Sequence, residues 1–301
     1  MTDILYVDPD TPAPGLAADL GSHAGLHRAA LALAGSRWLA GQATRPLCSD
    51  PWAGDLAGDE GRDLALELRG QSQAEEQVVA LRTAYFDRQV ETYIRGGVRQ
   101  VVLLGAGLDT RAARLAAPGV RVFEVDRPAS LSEKASRLEA LEGYPPAAAA
   151  AVPCDLTSDD LLAALERHGF NAFEPALFLM ENVACYLNDP SLRRLLTALR
   201  QTDPRSLLLF DHMDPRLRFA ETMRRRARIL REAEPVRWYC EDPLPLFAAA
   251  GFRHVSTSRL DVFCLLRTGN LGRSWGTHLY GLAQVSAGAP LGGADPGEQM
   301  D

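Results

Sequence analysis

The chain has 301 residues, of which 47% are hydrophobic and 24% are charged, and its formal net charge is -7. A chain of this length and composition can bury a large core as one or two globular domains. The negative charge argues against nucleic acid as the main partner, because proteins that bind nucleic acids carry basic clusters that neutralise phosphates.

The cysteines and the first residues indicate a compartment. Residues 1–10 are acidic where a signal peptide would be basic, and no apolar run reaches the length of a membrane span. We therefore predict a cytoplasmic protein without a membrane partner. Five widely spaced cysteines, none in a Cys-x-x-Cys pair, are typical of reduced thiols; they are Cys48, Cys154, Cys185, Cys240 and Cys264.

Residues 1–95 predict a helical cap. Ala29–Leu39 is rich in alanine and leucine, and Leu64–Leu68 continues a helical period. A longer helix is predicted over Ala74–Arg95, because apolar residues recur along one side and Gly96-Gly97 ends it. Before any resemblance is considered, the charged Arg82 on this helix reads as a surface residue.

From Val98 onward, strands and helices alternate. Helices are predicted at about 109–116, 127–142, 158–168, 190–200 and 243–250. Strands are predicted at Val101–Leu104, Val120–Val125, Ala148–Val152, Ala176–Met180, Ser206–Phe210, Arg253–Ser258 and Val262–Leu266.

The alternation predicts an α/β, Rossmann-like fold with a seven-stranded, mostly parallel sheet. The last two predicted strands lie so close in sequence that they indicate an antiparallel edge. Helices cover both faces, and the N-terminal helices form a cap. We assign 96–268 to this core, with 214–242 as an insertion on the acceptor side, and 269–301 to a tail that is partly disordered from Ser286.

The most informative motif is the turn after the first predicted strand. Four apolar residues lead into Gly105-Ala106-Gly107, and the next apolar run ends at Asp126 about twenty residues later. Glycines let the backbone approach a ligand closely, and such an acid can accept hydrogen bonds from ribose hydroxyls. The pattern predicts an adenosine-containing cofactor; the alternative is an ordinary strand–turn–helix.

The same turn selects among cofactors. A nicotinamide or flavin site usually has a third glycine, but Thr110 stands there, and Asp109 beside it would repel a diphosphate. An acid here suits a ligand with an ammonium and a sulfonium, which predicts S-adenosyl-L-methionine. Ligands of such sheets bind at the carboxyl ends of the strands, and five predicted strand ends carry Gly105, Asp126, Asp155, Glu181 and Asp211.

Several segments resemble the leucine carboxyl methyltransferase family, including its bacterial polyketide O-methyltransferase-like and actinobacterial branches. The segments are Asp50-Pro51, Arg82-Thr83-Ala84-Tyr85-Phe86-Asp87, Gly96–Val102, Gly105-Ala106-Gly107-Leu108-Asp109-Thr110-Arg111 and Phe123-Glu124-Val125-Asp126 with Pro128. The resemblance covers roughly residues 45 to 267. Asn182 departs from the pattern, because the family commonly has glycine after the acid that matches Glu181.

The resemblance implies cofactor contacts residue by residue. Arg82 would pair with the methionyl carboxylate, Gly105 and Gly107 would pass backbone close to the ligand, and Asp109 would lie beside it. Asp126, together with Glu124, would hold the ribose hydroxyls. Asp155 and Leu156 would meet the adenine, and Glu181 would lie near the ammonium or sulfonium. The alternative reading of Asp155 and Glu181 is a helix N-cap.

The predicted chemistry is methyl transfer by in-line displacement, which leaves S-adenosyl-L-homocysteine. A carboxylate acceptor needs no base, whereas a phenol needs one. His212 is the candidate base and Tyr186 the candidate orienting hydroxyl; the alternative for His212 is a structural histidine bonded to backbone. No spacing indicates a metal site.

The arginines of the insertion, Arg224-Arg225-Arg226-Ala227-Arg228, read as a solvated helix face near Glu232 and Glu234. The sharper hypothesis makes Arg224, Arg225 and Arg228 a clamp for an acidic acceptor.

We predict an O-methyltransferase acting on a carboxylate or phenol of a small, polyketide-type secondary metabolite, as a monomer or homodimer. The alternatives are a nicotinamide-dependent reductase and a methyltransferase-like protein that binds cofactor without catalysis.

Overall fold

The computed structural model describes residues 28–145, 148–231 and 236–290. The helices of these segments are α1 Arg28–Gly41, α2 Ala53–Gln71, α3 Ala74–Arg95, α4 Arg111–Arg114, α5 Pro128–Glu139, α6 Leu161–Arg167, α7 Asp189–Leu199, α8 Glu221–Leu230, α9 Leu244–Ala249 and α10 Leu260–Thr268. The strands are β1 Gln100–Leu104, β2 Arg121–Asp126, β3 Ala150–Pro153, β4 Ala176–Met180, β5 Leu207–Met213, β6 His254–Arg259 and β7 Tyr280–Ser286.

The seven strands form one sheet in the order β3-β2-β1-β4-β5-β7-β6. Strands β1 to β5 pair in parallel, and β7 runs antiparallel to both β5 and β6. This arrangement confirms the predicted fold class, with the antiparallel strand one place in from the edge strand β6. The carboxyl ends of β1 to β5 therefore lie along one edge of the sheet, where ligands of α/β proteins bind.

The core is divided between the two faces of the sheet, because side chains alternate along each buried strand. Val102, Phe178 and Phe210 pack on one face against α6, α7 and α9. The other face, with Val101 and Leu179, packs against α3 and α10. Helices α1 and α2 form a separate apolar cluster that also includes Leu108 and Leu230, so the cap is fastened over the strand ends.

Local signals explain where several helices begin and end. Helix α3 has the predicted bounds and is followed by Gly96. Asp160 caps α6 and Asn188 caps α7 through hydrogen bonds from their side chains to backbone amides. The readings of Asp155 and Glu181 as the N-caps of these helices are therefore wrong.

Two expectations about the C-terminal region are wrong. The segment predicted as a strand at Val262–Leu266 is part of α10, because the buried residues Leu260, Phe263 and Cys264 follow a helical spacing while Val262 and Leu266 are exposed. The antiparallel partner comes instead from residues 280–286, so the sheet extends beyond the predicted boundary at 268 into the predicted tail. Residues 291–301 lie outside the described residues.

The composition of β7 conceals its place in the sheet. A Cβ atom on Gly281 would lie 1.9 Å from Nε2 of His212 on the neighbouring strand, so only glycine fits there.

Within the described ranges, no helix combines the length and the apolar character needed to cross a membrane.

Candidate functional site

A cavity of about 240 Å³ opens at the carboxyl ends of β1 to β4, which we call the strand-end cavity. It is lined by Ala29, Ala30, Leu33, Arg37, Val79, Arg82, Gly105, Ala106, Gly107, Leu108, Asp109, Asp126, Arg127, Ser130, Asp155, Leu156, Thr157, Glu181, Asn182, Val183, Tyr186 and Leu187. Eight of the nine predicted cofactor residues lie in this wall, and Glu124 does not.

The glycine turn after β1 forms the floor of the strand-end cavity. Gly105 has a φ of +67°, and a Cβ atom there would lie 2.6 Å from Cγ2 of Val183. Both the backbone conformation and the space therefore require glycine. The amide of Gly107 donates a 2.7 Å hydrogen bond to Oδ2 of Asp126, so the turn and the acid at the end of β2 are held together.

Asp155 and Leu156 lie on the far side of the same cavity. Oδ1 of Asp155 accepts hydrogen bonds from the amide of Thr157 at 2.8 Å and from its hydroxyl at 2.6 Å. This local turn fixes the carboxylate at the end of β3 without burying it.

Arg82 is 3% exposed, so its reading as a surface charge is wrong. Its Nε lies 3.2 Å from Oε1 of Glu181, and its Nη1 reaches Oδ1 of Asn182 at 3.2 Å and Oδ2 of Asp211 at 3.3 Å. Burial opposes the charge, but the two carboxylates raise the pKa of Arg82 above its usual value. A fixed guanidinium therefore lies at the strand-end cavity, where it could receive a ligand carboxylate.

Glu181 and Asp109 share a second arginine that we did not assign from the sequence. Nη1 of Arg111 lies 2.6 Å from Oε2 of Glu181 and 2.6 Å from Oδ2 of Asp109. Burial opposes ionisation of Asp109, yet the neighbouring guanidiniums of Arg111 and Arg114 hold its pKa at about 2. Asp109 and Glu181 are thus both held by protein cations.

The Asp87 carboxylate on α3 joins the motif that contains Arg82 to the motif that follows β1. Asp87 accepts from Nε of Arg111 at 2.6 Å and from Nη1 of Arg114 at 2.6 Å. Charged residues of opposite sign in the two motifs are the signal from which this contact could have been expected. The contact places α3, and with it Arg82, against the glycine turn.

Glu124 is not brought to the strand-end cavity, so its expected role with the ribose is not supported. Its side chain is buried, and its Oε2 lies 2.7 Å from Nζ of Lys134 on α5. Burial raises the pKa of Glu124 despite this lysine. Glu124 and Asp126 lie on the same side of β2, because side chains alternate along a strand, but the carboxylate of Glu124 is buried against Lys134 whereas Asp126 lines the strand-end cavity.

A second cavity, of about 320 Å³, adjoins the first and is called here the helix-side cavity. Helices α2, α3 and α8 and residues 273–280 supply most of its wall. Leu33, Val79, Arg82, Asn182 and Tyr186 line both cavities and form the wall between them. Asn182 has a φ of 56°, a left-handed conformation that asparagine tolerates, which explains how it replaces the glycine of the family pattern.

Tyr186 contacts a buried ion pair in this shared wall. Nη2 of Arg226 lies 3.3 Å from the hydroxyl of Tyr186, and Nε of Arg226 lies 2.9 Å from Oε1 of Glu75. Arg226 is therefore not part of a solvated face. Its spacing from Met223 and Leu230 on the inward side of α8 is the periodic signal that could have identified it.

The structure gives no support to the expected role of His212 as a catalytic base. The side chain lines neither cavity. Its Nδ1 lies 2.7 Å from the carbonyl oxygen of Cys240, and burial lowers its pKa. The alternative reading, a neutral structural histidine bonded to backbone, is the one that the structure supports.

The structure does not bring the three arginines of the hypothetical acceptor clamp to a cavity together. Arg224, Arg225 and Arg228 all lie near the one carboxylate of Glu221. Of these three arginines, Arg225 alone lines the helix-side cavity. Glu232 and Glu234 lie outside the described residues.

The fold and the strand-end cavity define a Rossmann-like α/β protein with a site for an adenosine cofactor, and the helix-side cavity adjoins that site. The model of the leucine carboxyl methyltransferase family matches residues 30–200. The chain belongs to this family, which confirms the resemblance seen in the sequence and S-adenosyl-L-methionine as the cofactor.

Individual proteins agree with this assignment. A relative from Parafrankia sp. (strain EAN1pec) is 40% identical over 184 residues, which are 58% of this chain and 58% of that protein. A relative from Mycobacterium marinum is 36% identical over 217 residues, or 67% of this chain and 71% of that protein. Both are named "Putative S-adenosyl-L-methionine-dependent methyltransferase". The chain thus spans little more than half the length of the first relative.

A crystal structure of a protein from Thermobifida fusca has the same fold. It superposes with a TM-score of 0.58 at 19% identity and covers 88% of this chain and 96% of that one.

Proposed function

We propose that this chain is an S-adenosyl-L-methionine-dependent O-methyltransferase that methylates a carboxylate of a small, largely apolar molecule. The observation that carries this proposal is the shared wall of the two cavities, in which Arg82, Asn182 and Tyr186 face both. An acceptor in the helix-side cavity would meet the methyl group across this wall.

The strand-end cavity fits the cofactor. Arg82 would hold the methionyl carboxylate, Asp126 the ribose hydroxyls, and Asp155 with Leu156 the adenine. The close approach of Gly105 to Val183 leaves the backbone, rather than a side chain, against the ligand. Glu181 and Asp109, which both pair with Arg111, would favour the cationic end of the cofactor.

When bound, the cofactor supplies an electrophilic methyl group on sulfur, which the acceptor oxygen takes as the carbon–sulfur bond breaks and S-adenosyl-L-homocysteine remains. The residues of the chain contribute position and exclusion of water. Tyr186 would orient the acceptor oxygen, and its contact with Arg226 keeps that hydroxyl in place. Apolar residues of α3, among them Val78 and Val79, would shield the reacting oxygen from solvent.

The side chains around the helix-side cavity favour a carboxylate over a phenol. None of the described lining residues is a histidine, the carboxylate of Glu75 is paired with Arg226, and burial raises the pKa of Tyr280 to about 12. A phenol would lack a base, whereas a carboxylate is already ionised at neutral pH. The polyketide-type acceptor inferred from the sequence stays a prediction.

Calorimetric titration with S-adenosyl-L-methionine, S-adenosyl-L-homocysteine and NADPH tests the cofactor. We expect micromolar binding of the two adenosyl ligands, weakened by about tenfold or more in Asp126→Ala, because a carboxylate that accepts ligand hydrogen bonds is lost. Asp189→Ala, which changes an exposed aspartate on α7, is the matched control. Binding of NADPH alone would overturn the proposal in favour of the reductase alternative.

A panel of carboxylic acids and phenols with methyl-labelled cofactor tests the chemistry. A methyl ester releases labelled methanol in alkali, whereas a phenolic methyl ether does not. We expect alkali-labile product from acids. Label that stays bound after alkali treatment would reject the carboxylate, and no turnover with any acceptor would favour the non-catalytic alternative.

A further inference from the structure

The charge around the helix-side cavity is opposite in sign to that of the chain. Its lining includes four arginines, Arg82, Arg225, Arg226 and Arg273, and one carboxylate, that of Glu75. The strand-end cavity instead has more acids than arginines in its wall, and the whole chain has a formal net charge of -7. A local excess of positive charge in an acidic protein attracts anions to that place.

The four arginines differ in whether a carboxylate of the protein already neutralises their charge. Arg82 faces Glu181 and Asp211, and Arg226 faces Glu75. Arg225 shares the carboxylate of Glu221 with Arg224 and Arg228. No side-chain hydrogen bond or ion pair to Arg273 occurs within the described ranges. The surplus charge therefore belongs to Arg225 and Arg273, which are both exposed.

These two arginines lie outside the lining of the strand-end cavity. Residues of the shared wall, such as Tyr186, line both cavities, whereas Arg225 and Arg273 line the helix-side cavity alone. The lining of the helix-side cavity also includes many apolar side chains, among them Leu68, Val78, Met213, Met223, Ile229 and Trp275. The cavity thus combines a wall shared with the strand-end cavity, apolar lining residues and two exposed arginines.

We propose that the acceptor is an amphipathic anion that carries, besides its reacting oxygen, a second anionic group bound by Arg225 and Arg273. The inference rests on the proposed function only in treating the helix-side cavity as the acceptor site. Arg225 and Arg273 are then specificity-determining residues, because an acceptor without the second charge loses their contribution.

Two dyes with the same aromatic body test this inference by binding alone. 8-Anilinonaphthalene-1-sulfonate carries an anionic group, and N-phenyl-1-naphthylamine lacks it. Fluorescence titrations of the full chain would compare both dyes at low and high salt. We expect tighter binding of the sulfonate, with an affinity that falls as salt rises, because salt screens exposed charges.

Variants identify the arginines responsible. Arg225→Gln and Arg273→Gln should each raise the Kd of the sulfonate by about threefold, and the double variant by about tenfold, as for exposed ion pairs. The Kd of the neutral dye should not change. Arg224→Gln is the matched control, because Arg224 lies on the same helix, shares Glu221 and does not line the cavity.

Each outcome is decisive. Equal affinities for the two dyes, no binding of the sulfonate, or an unchanged Kd in the double variant would overturn the inference. Calorimetry with S-adenosyl-L-homocysteine on the same variants separates it from the proposed function. Absence of that binding in the unaltered chain would reject the methyltransferase and leave the dye result standing.

Discussion

Nη1 of Arg82 donates a hydrogen bond to Oδ2 of Asp211 across 3.3 Å, and both side chains are buried. The contact joins helix α3 of the cap to the end of strand β5. Because the same guanidinium also reaches Glu181 and Asn182, one cation connects the cap to the ends of two strands. Its structural role and its proposed ligand-binding role can be separated by variants.

Replacing Arg82 should impair folding and cofactor binding by different routes. Arg82→Met leaves Asp211 buried without its cation, so we expect a loss of about 3 kcal/mol in the free energy of unfolding at neutral pH. The double variant Arg82→Met/Asp211→Asn should recover much of that stability without recovering affinity for S-adenosyl-L-homocysteine. Denaturant titration and calorimetry measure the two effects. Recovery of affinity in the double variant would contradict a direct role for Arg82.

Asp211 should make the protein less stable as pH rises. Burial raises its pKa to about 6 from a usual value of 3.8, so between pH 4 and 6 the folded state binds more protons than the unfolded state. Stability therefore falls across that window, by on the order of 3 kcal/mol from this group. The fall should be absent in Asp211→Asn. Equal pH slopes in the two proteins, measured by denaturant titration, would contradict the assignment.

Gly105→Ala should lower the stability of the protein more than Gly119→Ala does. Gly105 and Gly119 both have positive φ, but a Cβ atom would meet Val183 at 2.6 Å in the first case and nothing within 4 Å in the second. We expect about 1 kcal/mol of backbone strain in both variants. Gly105→Ala alone should lose further stability and cofactor affinity. Identical melting temperatures and identical Kd values in the two variants would show that close approach is unimportant.

His212 should matter for stability and not for turnover. His212→Asn can keep a donor for the carbonyl of Cys240, whereas His212→Leu leaves that buried carbonyl unpaired, at a cost of about 1–3 kcal/mol. Both variants should keep the pH dependence of kcat once an acceptor is known. A pH profile that loses an ionisation in His212→Asn would restore the catalytic reading.

Tyr186→Phe should reduce kcat/KM by about tenfold while the Kd for S-adenosyl-L-homocysteine stays the same. The change removes the hydroxyl that contacts Arg226 at the shared wall, and lost orientation slows the transfer step. Tyr144→Phe is the control, because Tyr144 packs against Trp52 and lines neither cavity. An equal loss in both variants would indicate a general effect on packing.

The sequence predicted the structure best where a short local pattern determines an element or a turn. Helix α3 could be bounded because its apolar period is long and Gly96 follows it, and Gly105 and Asp126 could be placed because a strand–turn–helix motif contains both. The sequence alone could not show which arginine of the run 224–228 faces inward, because that depends on which side of α8 packs against the protein. The structure shows that it is Arg226. Glu75, its partner 151 residues away, carries no local signal of that contact.

The errors in the last third of the chain have one physical origin. Short apolar segments such as 262–266 suit a strand or a helix equally, and tertiary packing decides between them. Strand β7 was missed because glycine and alanine weaken the strand pattern, while its position depends on β5 and β6 on either side.

The position of β7 has a consequence for biosynthesis. Because β7 lies between β5 and β6, those two strands present bare hydrogen-bonding edges while the ribosome is still making the residues after Arg259. Unpaired edges of this kind recruit other strands and promote aggregation. A nascent chain stopped before Tyr280 would therefore retain its glycine turn and strand-end acids but present open sheet edges, making it a substrate for chaperones or proteases.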